Sequence, residues 1–100
     1  MNYKISSELI EIQSICKQMG LSYSNIIENN RKRDFVNLRI AFAVRFRKSG
    51  LSLNNIGMLL KRDHATIIYY LKTFEGMEKT KTIPDTIRSI IYTELEQKKK

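Results

Sequence analysis

Proline occurs once in the 100 residues, at Pro84, and glycine four times, which leaves little room for low-complexity linkers. Cysteine also occurs once, at Cys16, so no intramolecular disulfide can form. The lone histidine, His64, has no second imidazole and only that one distant thiol to share a metal with, so no metal ion is expected. No stretch approaches the ~18 apolar residues of a membrane span, and the N-terminus lacks the hydrophobic core of a signal peptide. A cytoplasmic, nucleoid-associated protein without a membrane partner is the expectation. No glycine-rich loop leads into Lys-Ser or Lys-Thr, so a nucleotide-phosphate cradle is missing and 100 residues leave no room for an ATPase module. Spacing supports no nucleophile–base pair either, so the chain reads as a non-enzyme with no cofactor.

What the chain has in excess is positive charge, and it is localised. The formal net charge is +8, and the pI is about 9.8. Residues 29–72 hold ten Lys/Arg against Asp34 and Asp63, a balance of +8, while the flanking segments come to −1 and +1. A polyanionic partner suits such a segment, as an anionic membrane surface would suit the pI alone.

Apolar spacing is helical almost throughout, and nothing alternates at period two for long. The expected fold is all-α: one domain over 1–100, a compact bundle of about six helices. Leu9, Ile12, Ile15, Cys16 and Met19 form a stripe after Ser6 and Ser7, with Gly20 placed to end that helix. Ser24 is placed to cap a short second helix carrying Ile26 and Ile27. A third helix over about 34–48 has a polar arc of Asp34, Asn37, Ala41, Arg45 and Lys48, with apolar side chains over most of the rest. So wide an apolar face predicts a central helix, in which Arg39 reads as a semi-buried structural arginine. Pro84, near the first helical position, starts a last helix bearing Ile83, Ile87, Ile90, Ile91 and Leu95, with Lys98 to Lys100 at its end.

Between these lies a helix-turn-helix pattern over about 52–75. Ser52 caps a helix whose Leu53, Ile56, Leu59 and Leu60 face inward. Its Gly57, costing ~1 kcal/mol of propensity, implies a close crossing by the next helix. Lys61-Arg62 form the turn. Asp63 caps the second helix, whose inner side is Ile67, Ile68, Leu71 and Phe74, and Gly76 is placed to end it. That helix opens on Asp63-His64-Ala65-Thr66, side chains suited to base edges and phosphates rather than to packing.

Three runs, Ile40-Ala-Phe-Ala-Val, Leu51-Ser-Leu-Asn-Asn-Ile-Gly and Arg62-Asp-His-Ala-Thr-Ile-Ile, carry a resemblance. From Gly20 to about Met77 the chain resembles the C-terminal DNA-binding domain of the bacterial replication initiator DnaA. The resemblance implies double-stranded DNA as partner, with Asp63 and His64 on bases and Thr66 on a base or phosphate. Lys61 and Arg62 would lie on the DNA backbone, and the helix start at Ser52-Leu53 would offer its amides to a phosphate. The chain departs from the family pattern in three places. Ala65 replaces a common hydroxyl residue and offers a methyl contact instead, Lys61 stands in a turn that is often glycine-rich and one residue longer, and Val36-Asn37-Leu38 align with the tract that holds the minor-groove arginine.

The remaining candidates stand between two readings each. His64 is a base contact or a first-turn histidine packed at the helix boundary. Tyr69 is a groove contact or solvated surface, whereas Tyr70 reads as packing. Arg31, Lys32 and Arg33 are phosphate contacts or a solvated charge run, and Arg45 and Lys48 extend the basic rim toward phosphate. Cys16 reads as a small buried hydrophobe. The expected function is sequence-specific duplex binding by a small regulator of replication or transcription that lacks the initiator's motor. A sequence-indifferent DNA coater and a helical protein-interaction module, docking a partner through the N-terminal helices, are the alternatives.

Overall fold

A computed structural model describes residues 3–28 and 31–93, with side chains from residue 7 onward. Six helices and no strand are found among the described residues: α1 Tyr3–Gln18, α2 Tyr23–Ile27, α3 Arg33–Lys48, α4 Leu53–Leu60, α5 His64–Thr80 and α6 Asp85–Tyr92. Helix α3 is the axis, packed against α2, α4, α5 and α6, while α1 lies on α2 and α4.

The reason α3 is central is written in its side chains. Every residue from Asn37 to Phe46 is buried, so this stretch has no solvent face at all. A helix apolar over most of its circumference must be covered on every side, and the stacked rings of Phe42 and Phe46, 6.1 Å apart, fill its middle. The expected polar arc is therefore exposed only at its ends, Asp34 and Lys48, because α1 and α6 close over Arg45.

Local signals set the helix boundaries, with several corrections. Helix α1 begins at Tyr3, ahead of Ser6 and Ser7. It ends at Gln18, where Gly20 takes φ +76° and the amide of Leu21 returns to the Cys16 carbonyl. Met19 lies beyond that end and is exposed, so it leaves the stripe that Ile12, Ile15 and Cys16 bury. Helix α2 is capped by Ser22 instead of Ser24. The Ser22 amide donates to the Asn25 side chain, and the Ser24 hydroxyl is drawn into a 2.8 Å hydrogen bond with that of Ser22. Ser52 and Asp63 cap α4 and α5 as their positions imply, accepting from the amides of Asn55 and Thr66.

Gly76 does not end α5. It sits exposed in mid-helix, and the helix runs on to Thr80, where Lys81 turns left-handed at φ +57°. Pro84 is the N-cap of α6, one position earlier than expected, in an extended conformation that its fixed φ favours. Ile87, Ile90 and Ile91 of α6 are buried, and α6 packs chiefly on α3. Leu95 and Lys98 to Lys100 lie outside the described residues. None of the described helices is long and apolar enough to cross a membrane.

Candidate nucleic-acid interface

Helix α4 leaves its last turn through Lys61, which adopts the left-handed conformation at φ +56°. The amide of Arg62 then closes on the Gly57 carbonyl at 2.9 Å. This turn aims α5 away from α4, and it explains Gly57. A β-carbon there would stand 2.6 Å from the carbonyl oxygen of Arg62, whereas the nearest atom of α5, Cγ1 of Ile67, is 3.8 Å away. The turn's own backbone demands the glycine, not the crossing helix inferred from sequence.

Asp63 spends one carboxylate oxygen on the Thr66 amide, 2.9 Å away. That bond, joined by the Thr66 hydroxyl and by His64 beside it, holds its pKa below the ordinary aspartate value. The cap thus stays ionised, a charged acceptor at the exposed start of α5. His64, Ala65 and Tyr69 are exposed on α5, Tyr69 at 63%, while Thr66 is half-buried. Lys72 is exposed two helical turns beyond His64 on the same face. Tyr70 turns inward with Ile67 and Phe74, as its position on the wheel implies. Leu53, Asn54, Gly57 and Met58 of α4 line an open cleft of about 560 Å³ together with Lys61, Arg62, Asp63 and His64. Ser52 belongs to a neighbouring shallow cleft with Ser49, Gly50 and Asn55, which Ser7 and Glu8 of α1 also border.

The basic residues divide into two groups. Arg31, Lys32, Arg33, Lys48 and Lys61 are exposed. Arg39, Arg45 and Arg62 are instead tied into the structure. Arg39, fully inside, donates from Nε to the Ile26 carbonyl and from Nη2 to that of Glu28, both at 2.6 Å. Burial, then the nearby charge of Arg62, depresses its pKa.

Arg45 requires a correction. It is 7% exposed, ion-paired with Glu11 of α1, and its Nη1 donates to the carbonyls of Ile90 and Thr93 at 2.7 Å. It cannot reach a phosphate, because its fork is consumed in joining α1, α3 and the end of α6. The sequence position looked exposed only because a helical wheel omits the neighbours that cover it.

Arg62 is half-buried, and its guanidinium is likewise occupied. Nη1 donates to the carbonyls of Ile27, Leu60 and Lys61, and Nη2 to that of Glu28 at 2.8 Å. Met58, Asn54 and Lys72 are exposed residues of this surface beyond the contacts expected from sequence, Lys72 having entered there only through the basic charge of residues 29–72. For Lys72 the signal was present, since it follows His64 by eight positions on one helix. Among the described residues no group of His, Cys, Asp and Glu is arranged to hold a metal ion. Cys16 is buried, and its burial pushes the thiol pKa up to about 11.

Comparison with known proteins bears on the same surface. Residues 9–73 match the family described as bacterial dnaA protein helix-turn-helix. The chromosomal replication initiator protein DnaA of Thermodesulfovibrio yellowstonii is 36% identical over 93 residues, which cover 90% of this chain and 21% of that protein. The protein of the same name from Mycoplasma pneumoniae is 26% identical over 82 residues, covering 80% of this chain and 19% of the relative. The chain therefore spans about a fifth of the length of these curated relatives. No solved structure matches.

Proposed function

The chain belongs to the bacterial DnaA helix-turn-helix family, and from that membership we propose that it binds double-stranded DNA sequence-specifically, with the first turn of α5 in the major groove. The observation that carries this reading is the outer face of α5. His64, Ala65 and Tyr69 stand exposed on the helix, beside an ionised Asp63 and the exposed cations Lys61 and Lys72. The carboxylate of Asp63 suits a cytosine amino group, the Ala65 methyl a thymine methyl, and His64 and Thr66 acceptors or phosphate oxygens at the groove edge. Tyr69, one turn further on, would follow the groove.

Positioning falls to phosphate contacts, which carry no sequence information. Arg31, Lys32, Arg33, Lys48 and Lys61 supply charge, and the amides opening α4 at Ser52 and Leu53 supply a helix N-terminus. Five neutralised phosphates imply that log K falls against log[salt] with a slope of about −4 to −5. The role this supports is regulation of replication or transcription, with this domain as the DNA-binding unit.

Selection of bound duplexes from a random pool tests the reading. Enrichment of one short motif, bound more tightly than its scrambled version at equal salt, is the expected result. Binding without enrichment would make the chain a sequence-indifferent coater, and no binding at all would remove DNA as its partner.

A further inference from the structure

Arg62 stands where the C-terminal ends of two helices meet. Its guanidinium takes the carbonyls of Leu60 and Lys61 at the end of α4 and those of Ile27 and Glu28 at the end of α2. A cation is favoured there because both helix ends present unsatisfied carbonyls and the negative pole of the backbone dipole. Arg39 reaches the same end of α2 from α3, so two guanidiniums share the Glu28 carbonyl. Tyr23, opening α2, donates its hydroxyl to the Leu59 carbonyl. Five-residue α2 is thus strapped across the reader's turn at both of its ends.

Three positions on from Glu28 begin Arg31, Lys32 and Arg33, all exposed. On their far side Lys32 is fixed as the N-cap of α3, its carbonyl accepting from Val36. We infer that Arg62 is a positioning residue for DNA binding: its fork, shared with Arg39, fixes where the basic segment Arg31–Arg33 departs relative to the first turn of α5. Base reading and phosphate anchoring are thereby held in one frame, and Arg62 does not itself contact phosphate. The inference rests on the duplex-binding reading.

A double-mutant cycle separates the possibilities. Lysine keeps the charge of Arg62 but cannot bridge two carbonyl ends with a planar fork. Arg62→Lys should weaken binding to a preferred duplex about tenfold in the wild-type background, a coupling of ordinary size for groups within one network. In a chain already carrying R31A, K32A and R33A, the same substitution should change affinity less than about twofold. Affinity is measured by anisotropy on the folded fraction, so a lower melting temperature alone does not mimic the effect. A second readout needs no variant. The guanidinium protons of Arg62 should be protected from exchange in the free protein and keep their chemical shifts when duplex is added.

A phosphate contact would leave Arg62→Lys nearly silent in both backgrounds and would move those resonances. Equal losses in the two backgrounds, or shifted guanidinium signals, would overturn the inference while leaving duplex binding intact. A wild-type chain that binds no duplex would overturn both.

Discussion

The carbonyl oxygen of Arg62 occupies the space a side chain on Gly57 would need, 2.6 Å from an ideal β-carbon. That oxygen is backbone, and the residue bearing it is held by four hydrogen bonds from its own guanidinium, so it has little freedom to retreat. Gly57→Ala should therefore lose stability, since overpacking costs ~1–3 kcal/mol and alanine returns only ~1 kcal/mol of helix propensity. Gly76 is the control. Nothing lies within 4 Å of its β-position, so Gly76→Ala should gain ~1 kcal/mol. Thermal melts of the two variants should move in opposite directions.

Lys61 is expected to couple stability and binding with opposite signs. A left-handed conformation costs a non-glycine residue ~1–2 kcal/mol, which glycine avoids. Lys61→Gly should raise the melting temperature, by about 1 kcal/mol of stability once glycine's extra chain entropy is set against the relief. It should also weaken every duplex alike and make the salt slope about one unit shallower. A variant both more stable and fully active would take Lys61 out of the phosphate rim.

His64 is exposed at the start of α5 with Asp63 capping the helix just before it. His64→Ala should cost ~1–3 kcal/mol on a selected duplex and almost nothing on a scrambled one. Equal losses on both would make it a structural residue and move the reader elsewhere on the surface.

Arg45→Met should strip the buried Glu11 carboxylate of its guanidinium partner, a change that costs ~3–5 kcal/mol when one member of a buried pair is removed. Denaturant melts should show that loss. The fraction that remains folded should keep its duplex affinity and salt slope, because this arginine never faced the DNA.

Asp63 ties stability to acid. The Thr66 amide favours its ionised form in the folded chain. A depressed folded pKa gives stabilisation that is present above the unfolded value and lost as pH falls through the folded one. Asp63→Ala should therefore flatten the loss of helix stability seen as pH drops through the ordinary aspartate range, measured by circular dichroism.

The features legible in sequence are those decided within a few residues of themselves. Ser52 and Asp63 cap because the amides they satisfy lie three residues ahead, and Tyr69 is outside and Tyr70 inside because of their angles on one helix. What stayed hidden involves partners far along the chain. Arg45 finds its acceptors 34 to 48 residues away, and Arg62 reaches back 35 to Ile27. A wheel drawn for one helix sees neither. Gly76 misled for another reason: a glycine signals a helix stop only when the chain turns left-handed there, and that turn was made five residues later by Lys81.

The reach of Arg45 sets an order on the birth of the protein. Helix α3 is complete once residue 48 has been made, yet the Arg45 guanidinium has no carbonyl to donate to at the end of α6 until Ile90 and Thr93 exist. A nascent chain shorter than that holds a charge at the centre of its apolar axis without the carbonyls that will enclose it, and burial before then is opposed by desolvation. The core therefore cannot close over Arg45 until α6 has been made, and the exposed face of α5 is synthesised before the platform beneath it is finished.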